Sequence, residues 1–289
     1  MSTDAPSNTA LGPGGGAQAG RGALRLRQVV AVARLELGRA LKGWRSLWLV
    51  FLAFAPCAVI TAHALHDEHG SVHEETLVLA GIVQFFYLRF AIFFGCLGIF
   101  VGSVRGEVVE RTLHYAFLAP LRREVLVAGK FLAAAATSVL LFGGGVFASF
   151  TAMYAHFPAG REFALSGGAL RHLGAYLLVT TLACLGYGAV FLALSLVFRN
   201  PIVPSITVLL WETISGALPV WLKHLSVTFY LKPLLPVEMP VEGFSGLFTI
   251  VAEPTPPWLA VSGLVAFVGL VLAFACWRIR GMEVSYSTD

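Results

Sequence analysis

Apolar residues along this chain gather into long runs rather than alternating with polar ones. Six runs come close to or exceed the roughly 20 residues a helix needs to cross a ~30 Å hydrocarbon core: 46–65, 78–104, 125–154, 173–198, 202–222 and 258–277. The third and fourth are the cleanest; the fifth carries Pro204, Glu212 and Pro219. None has the two-residue alternation of a membrane barrel, and inside lipid only helices and closed barrels satisfy the backbone. The pattern predicts an all-α polytopic membrane protein with six transmembrane helices. Ahead of the first run, Leu26, Val29, Val30, Ala33, Leu37 and Leu41 recur at helical spacing among Arg25, Arg34, Arg39 and Lys42. That spacing predicts a basic amphipathic elbow helix over 24–44, lying on the membrane surface. Residues 1–23 are Gly-, Ala- and Ser-rich with no apolar h-region, so a disordered cytoplasmic tail is expected and no signal peptide is visible. Residues 24–289 then read as one six-span membrane domain.

The segment 223–257 interleaves Pro233, Pro236, Pro240, Pro254, Pro256 and Pro257 with Phe229, Tyr230, Leu231, Phe244, Leu247 and Phe248. It is too apolar for an ordinary loop and too rich in proline for a span. A re-entrant segment dipping into the outer leaflet fits, provided protein covers its irregular backbone.

Composition sharpens the class. The 289 residues are 57% hydrophobic and 12% charged, where a soluble domain carries about a quarter charged, and the mean hydropathy is +0.78. Lys and Arg set the orientation. Fifteen of them fall on one side: at the N-terminus, between runs two and three, at Lys130 in the opening turns of run three, between runs four and five, and at the C-terminus. Only Arg161, Arg171, Lys223 and Lys232 fall on the other side. The positive-inside bias predicts cytoplasmic N- and C-termini. Cys57, Cys96, Cys184 and Cys276 all lie within runs, as small apolar core residues and not as a disulfide framework. Trp44, Trp48, Trp258 and Trp277 stand at run ends, where an interfacial belt is expected.

Few polar groups interrupt the runs. Arg89 and Glu212 lie near the middle of theirs, where a charge is expensive and faces a partner or a wet cavity. They are candidates for an intramembrane charge pair or for a pathway. Gly98, Gly102 and Gly106 repeat every four residues, a spacing that lets a second helix approach closely. His63, His66, His69 and His73 crowd an acidic outer loop with Asp67, Glu68, Glu74 and Glu75. They are weak candidates for transition-metal ligands, but their spacing matches no standard zinc site, so no metal is expected. No histidine sits mid-run beside a nucleophile, so an intramembrane hydrolase is disfavoured.

The stretch between runs two and three is the most specific. Val109, Leu113, Ala116 and Phe117 form an apolar stripe, with Glu107, Glu110, Arg111 and His114 as its polar face. This predicts a short amphipathic helix ended by Pro120. Glu107, Thr112-Leu113, Pro120-x-x-Arg123 and Gly129-Lys130 are similar, in type and spacing, to the loop after the second span of ABC type-2 exporter permeases. Arg111 stands where that family usually has Gly. The resemblance extends to the elbow helix, the six spans and the re-entrant segment before the last.

It implies the membrane-spanning permease subunit of an ATP-driven exporter in the bacterial inner membrane. Two permease chains would pair, as a homodimer or heterodimer, each resting on a separate nucleotide-binding ATPase through a coupling helix. That helix would use Glu107, Glu110, Arg111, Thr112, Leu113, His114, Pro120 and Arg123. The implied partners are the ATPase, the second permease chain and the bilayer, with no nucleic acid. Gly129-Lys130 is followed by Phe131 and opens a membrane run, so the chain has no phosphate-cradling Gly-rich loop. ATP and Mg belong on the partner ATPase; this chain is expected to bind no cofactor and not to be an enzyme. A secondary transporter or channel, and a non-transporting assembly or signalling subunit of the same fold, remain the alternatives.

Overall fold

The computed structural model describes residues 28, 30–31, 44–64, 71–109, 123–156, 158–215, 218–237 and 255–281. Every regular element among them is helical. In chain order these are α1 (Trp44–Ala64), α2 (Val72–Gly81), a π-helical segment (Ile82–Ala91), α3 (Ile92–Val109), α4 (Arg123–Ala155), α5 (Pro158–Ala164), α6 (Gly167–Val197), α7 (Ile202–Ile214), α8 (Val220–Lys223), α9 (Val227–Leu231), a 3-10 turn (Lys232–Leu234) and α10 (Pro257–Arg280).

Among the described residues four helices are long and apolar enough to cross a bilayer: Val72–Arg105, Arg123–Ala155, Gly167–Val197 and Pro257–Arg280. Two shorter apolar helical stretches, Leu47–His63 and Ile202–Ile214, accompany them. Over the fifth expected span, 202–222, the described apolar helix is shorter than a bilayer crossing. Its helix stops at Ile214, and at 1.5 Å per residue it covers about 20 Å rather than ~30 Å. The sequence supplies the reason. Pro219 has no N–H to offer the carbonyl of Ser215, and Gly216 weakens the helix just before it. The elbow helix over 24–44 lies almost wholly outside the described residues, as does the tail over 1–23.

The long helices α4 and α6 form the centre. Of their most apolar windows 67% is buried, against 17% for α10. Both are apolar on all faces, as expected of helices surrounded by other helices or by lipid. Small residues set the closest crossings. At Gly145 in α4 an added Cβ would lie 2.2 Å from the carbonyl oxygen of Ala53 in α1, so the two backbones touch there. At Gly188 in α6 it would lie 2.3 Å from the ring of Phe100, which fills the space a side chain would take. Between these contacts run buried aromatics, with Phe93 edge-on to Phe191 at 5.0 Å and to Tyr187 at 5.4 Å.

Candidate functional site

Glu212, near the end of α7, is 4% exposed, and burying a carboxylate without partners is prohibitively costly. Its partners are the first turn of α9. Oε1 accepts the backbone N–H of Val227 at 2.8 Å, and Oε2 accepts the backbone N–H of Thr228 at 3.1 Å and the hydroxyl of Ser226 at 2.8 Å. The first N–H groups of any helix lack partners within it and carry partial positive charge. A carboxylate satisfies both, through charge-assisted bonds. Ser226 is also the N-cap of α9, accepting the N–H of Phe229 at 3.3 Å on the same oxygen. Glu212 thus clamps a short helix that could not be stable alone.

Close packing holds the other side of α9. Val227 lies on Gly186, near the middle of α6, where an added Cβ would come within 2.8 Å of it. Tyr230 lies on Gly263 of α10, where an added Cβ would be 2.5 Å from the ring. The Tyr187 and Thr228 hydroxyls are 3.0 Å apart, and Gln84 Nε2 donates to the Val237 carbonyl at 2.8 Å. The segment 218–237 is therefore fixed to α6, α7, α10 and the π-helical segment together.

That π-helical segment carries Gln84, Tyr87 and Arg89. Its wider turn is rare and recurs at functional sites. Each of the three reaches a different neighbour. Gln84 reaches Val237. The Tyr87 hydroxyl donates to the Ala53 carbonyl at 2.8 Å and lies 3.0 Å from Ser149 Oγ. Arg89 is half-buried and sits in the electrostatic field of Tyr187 and Glu212. The hydrogen bonds of Glu212 go to α9, and Arg89 interacts with it electrostatically.

The opposite end of the bundle is basic. An Arg105 Nη2 donates to the carbonyl of Phe198, just past α6. Lys130, 3% exposed, donates from Nζ to the Ser103 carbonyl at 2.7 Å. Arg123, the first residue of α4, donates to the carbonyls of Ile279 and Arg280 at 3.4 and 3.2 Å, and Arg280 Nε returns a bond to Glu124 Oε1 at 2.8 Å. Cations at helix C-termini satisfy unpaired carbonyls and the negative end of the helix dipole. These bonds bring the ends of α3, α6 and α10 and the start of α4 together, in line with the grouping of Lys and Arg along the sequence. Of the coupling residues, Glu107 continues the backbone of α3 to Val109. Glu110, Arg111, Thr112, Leu113, His114 and Pro120 lie outside the described residues.

The remaining candidates scatter. Gly98 is exposed with only Leu49 at 3.8 Å, and Gly102 has nothing within 4 Å of an added Cβ. Gly106 is helical. His63 Nε2 lies 3.8 Å from Oε1 of buried Glu75, and His73 is exposed. His66 and His69 fall outside the described residues, and among the described residues no three metal-ligating side chains converge. Sequence reasoning missed Ser226, Thr228 and Tyr187. Ser226, placed just before an apolar turn, has the look of an N-cap, and that was the one signal available. Compared with family models and with curated proteins, the chain matches none.

Proposed function

We propose that this chain is the membrane-spanning permease subunit of an ATP-driven exporter, moved by a separate nucleotide-binding ATPase. The observation that carries the reading is how the stretch resembling a coupling loop is tethered. On one side it continues from α3, which Lys130 binds to α4. On the other it enters α4 at Arg123, which is bonded to the end of α10. A push on residues 107–118 would thus reach three long helices at once. The basic end faces the cytoplasm in this reading, following the positive-inside bias. The segment clamped by Glu212 is the re-entrant element, and it closes the opposite end. ATP binding and hydrolysis on the partner supply the work.

The test is affinity purification of the tagged full-length chain from native membranes, with a photo-crosslinker at position 110 or 114. Recovery of a crosslinked polypeptide that hydrolyses ATP supports the proposal. Transport by the purified chain alone in vesicles without nucleotide overturns it.

A further inference from the structure

Two arginines meet at the basic end with no carboxylate between them. Arg105 gives Nη2 to the Phe198 carbonyl, and Arg199 is the next residue along. The two guanidinium groups lie within each other's electrostatic field. Among the described residues neither is paired with an Asp or Glu, and Arg199 is exposed. Like charges held together with no carboxylate between them favour a bound anion. A guanidinium fork matches a phosphate through paired N–H···O bonds. The surroundings narrow the choice of anion. Val197, Phe198, Ile202 and Val203 beside the pair are all exposed and apolar, on helices apolar enough to lie in a bilayer. A group that is anionic at one end and greasy at the other fits this rim; a free phosphate would face it unfavourably.

We propose that Arg105 and Arg199 hold the phosphate of an anionic phospholipid whose acyl chains lie along the exposed face of α6 and α7. The site requires only that the chain sits in a bilayer, and it stands or falls separately from the permease reading. Beyond binding, the lipid would brace the turn between α6 and α7, on which the placement of Glu212 depends.

The test reconstitutes the full-length chain in nanodiscs of phosphatidylcholine, with or without phosphatidylglycerol, and counts retained lipids by native mass spectrometry. Arg199→Gln is the main variant, since that exposed side chain makes no bond among the described residues. Arg105→Gln is the second, and Arg171→Gln, at the other end, controls for net charge. The expected result is phosphatidylglycerol retention that falls about tenfold in each of the first two, ~1.4 kcal/mol, and not in the third. Equal retention in Arg199→Gln, or equal retention of phosphatidylcholine, overturns the proposal. So does displacement of the lipid by inorganic phosphate at matched concentration, which would make the site a free-phosphate site.

Discussion

Replacing Glu212 by Gln tests the clamp at its centre. The wild-type carboxylate takes three donors, from Ser226, Val227 and Thr228. Gln keeps one acceptor oxygen and turns an NH2 group toward the others. At least one bond is lost, and the rest change from charge-assisted, worth about 1.5–3 kcal/mol each, to neutral, worth about 0.5–1.5 kcal/mol. The expected cost is about 2–4 kcal/mol, felt locally, because Val227 and Tyr230 still rest on Gly186 and Gly263. At about 1.4 kcal/mol per tenfold, the opening of α9 becomes roughly thirtyfold to several hundredfold more frequent. Hydrogen exchange of the amides of Val227–Leu231 in detergent or nanodiscs reads this directly. Amides in the middle of α4 serve as the internal control and should be unchanged. Glu212→Asp keeps the charge but shortens the reach, and should fall between Gln and wild type. The reasoning is refuted if Glu212→Gln leaves exchange at Val227 and Thr228 within about threefold of wild type.

A double-mutant cycle should find Glu212 coupled to Ser226 by about 0.5–3 kcal/mol and more weakly to Arg89, since only the first pair is hydrogen-bonded; stronger coupling to Arg89 would reverse that assignment. Gly145→Val should cost more than about 2 kcal/mol, measured by thermal unfolding in detergent, because its Cβ would collide with the Ala53 carbonyl. Gly102→Ala, with open space around it, should leave stability unchanged or raise it by up to about 1 kcal/mol. Lys130→Ala should lower stability by about 2–4 kcal/mol, through the lost bond to Ser103 and the cavity beneath it, and an unchanged melting temperature would count against that bond.

The long helices were legible because bilayer crossing imposes a length and an apolar composition that no other constraint imitates. The observed bounds of α4, 123–155, and of α10, 257–280, extend the apolar runs by only a few residues. The role of Glu212 was hidden by the nature of its partner. A charge in an apolar run prompts a search for an opposite charge, and Arg89 was the one available; backbone N–H groups at a helix start carry no mark in the sequence. The π-helical turn is invisible for the same reason, since a change of register alters no residue. The repeat of Gly98, Gly102 and Gly106 does not mark the closest crossings within the chain, because spacing says which face is narrow and not what lies against it. Gly145, Gly186 and Gly188 meet neighbours closely, whereas Gly102 meets none. Lys130 was read as part of a loop motif, yet it is buried, and its ammonium serves the Ser103 carbonyl.

One continuous stretch, Val72 to Val109, touches both ends of the molecule. Ser103 near its end is held by Lys130 at the basic side, and Gln84 in its π-helical portion is bonded to Val237 beyond α9. A helix with a complete hydrogen-bond ladder is stiff along its axis, so tilting the Ser103 end must move the Gln84 end. The π-helical turns lie between them and are the irregular part of that link. If work enters at the loop after Val109, this helix is the shortest physical link from that loop to the segment clamped by Glu212. The segment can then follow the helix only if the clamp yields less readily than the turns that pull on it. Three charge-assisted bonds on one carboxylate, from Ser226, Val227 and Thr228, provide such a hold.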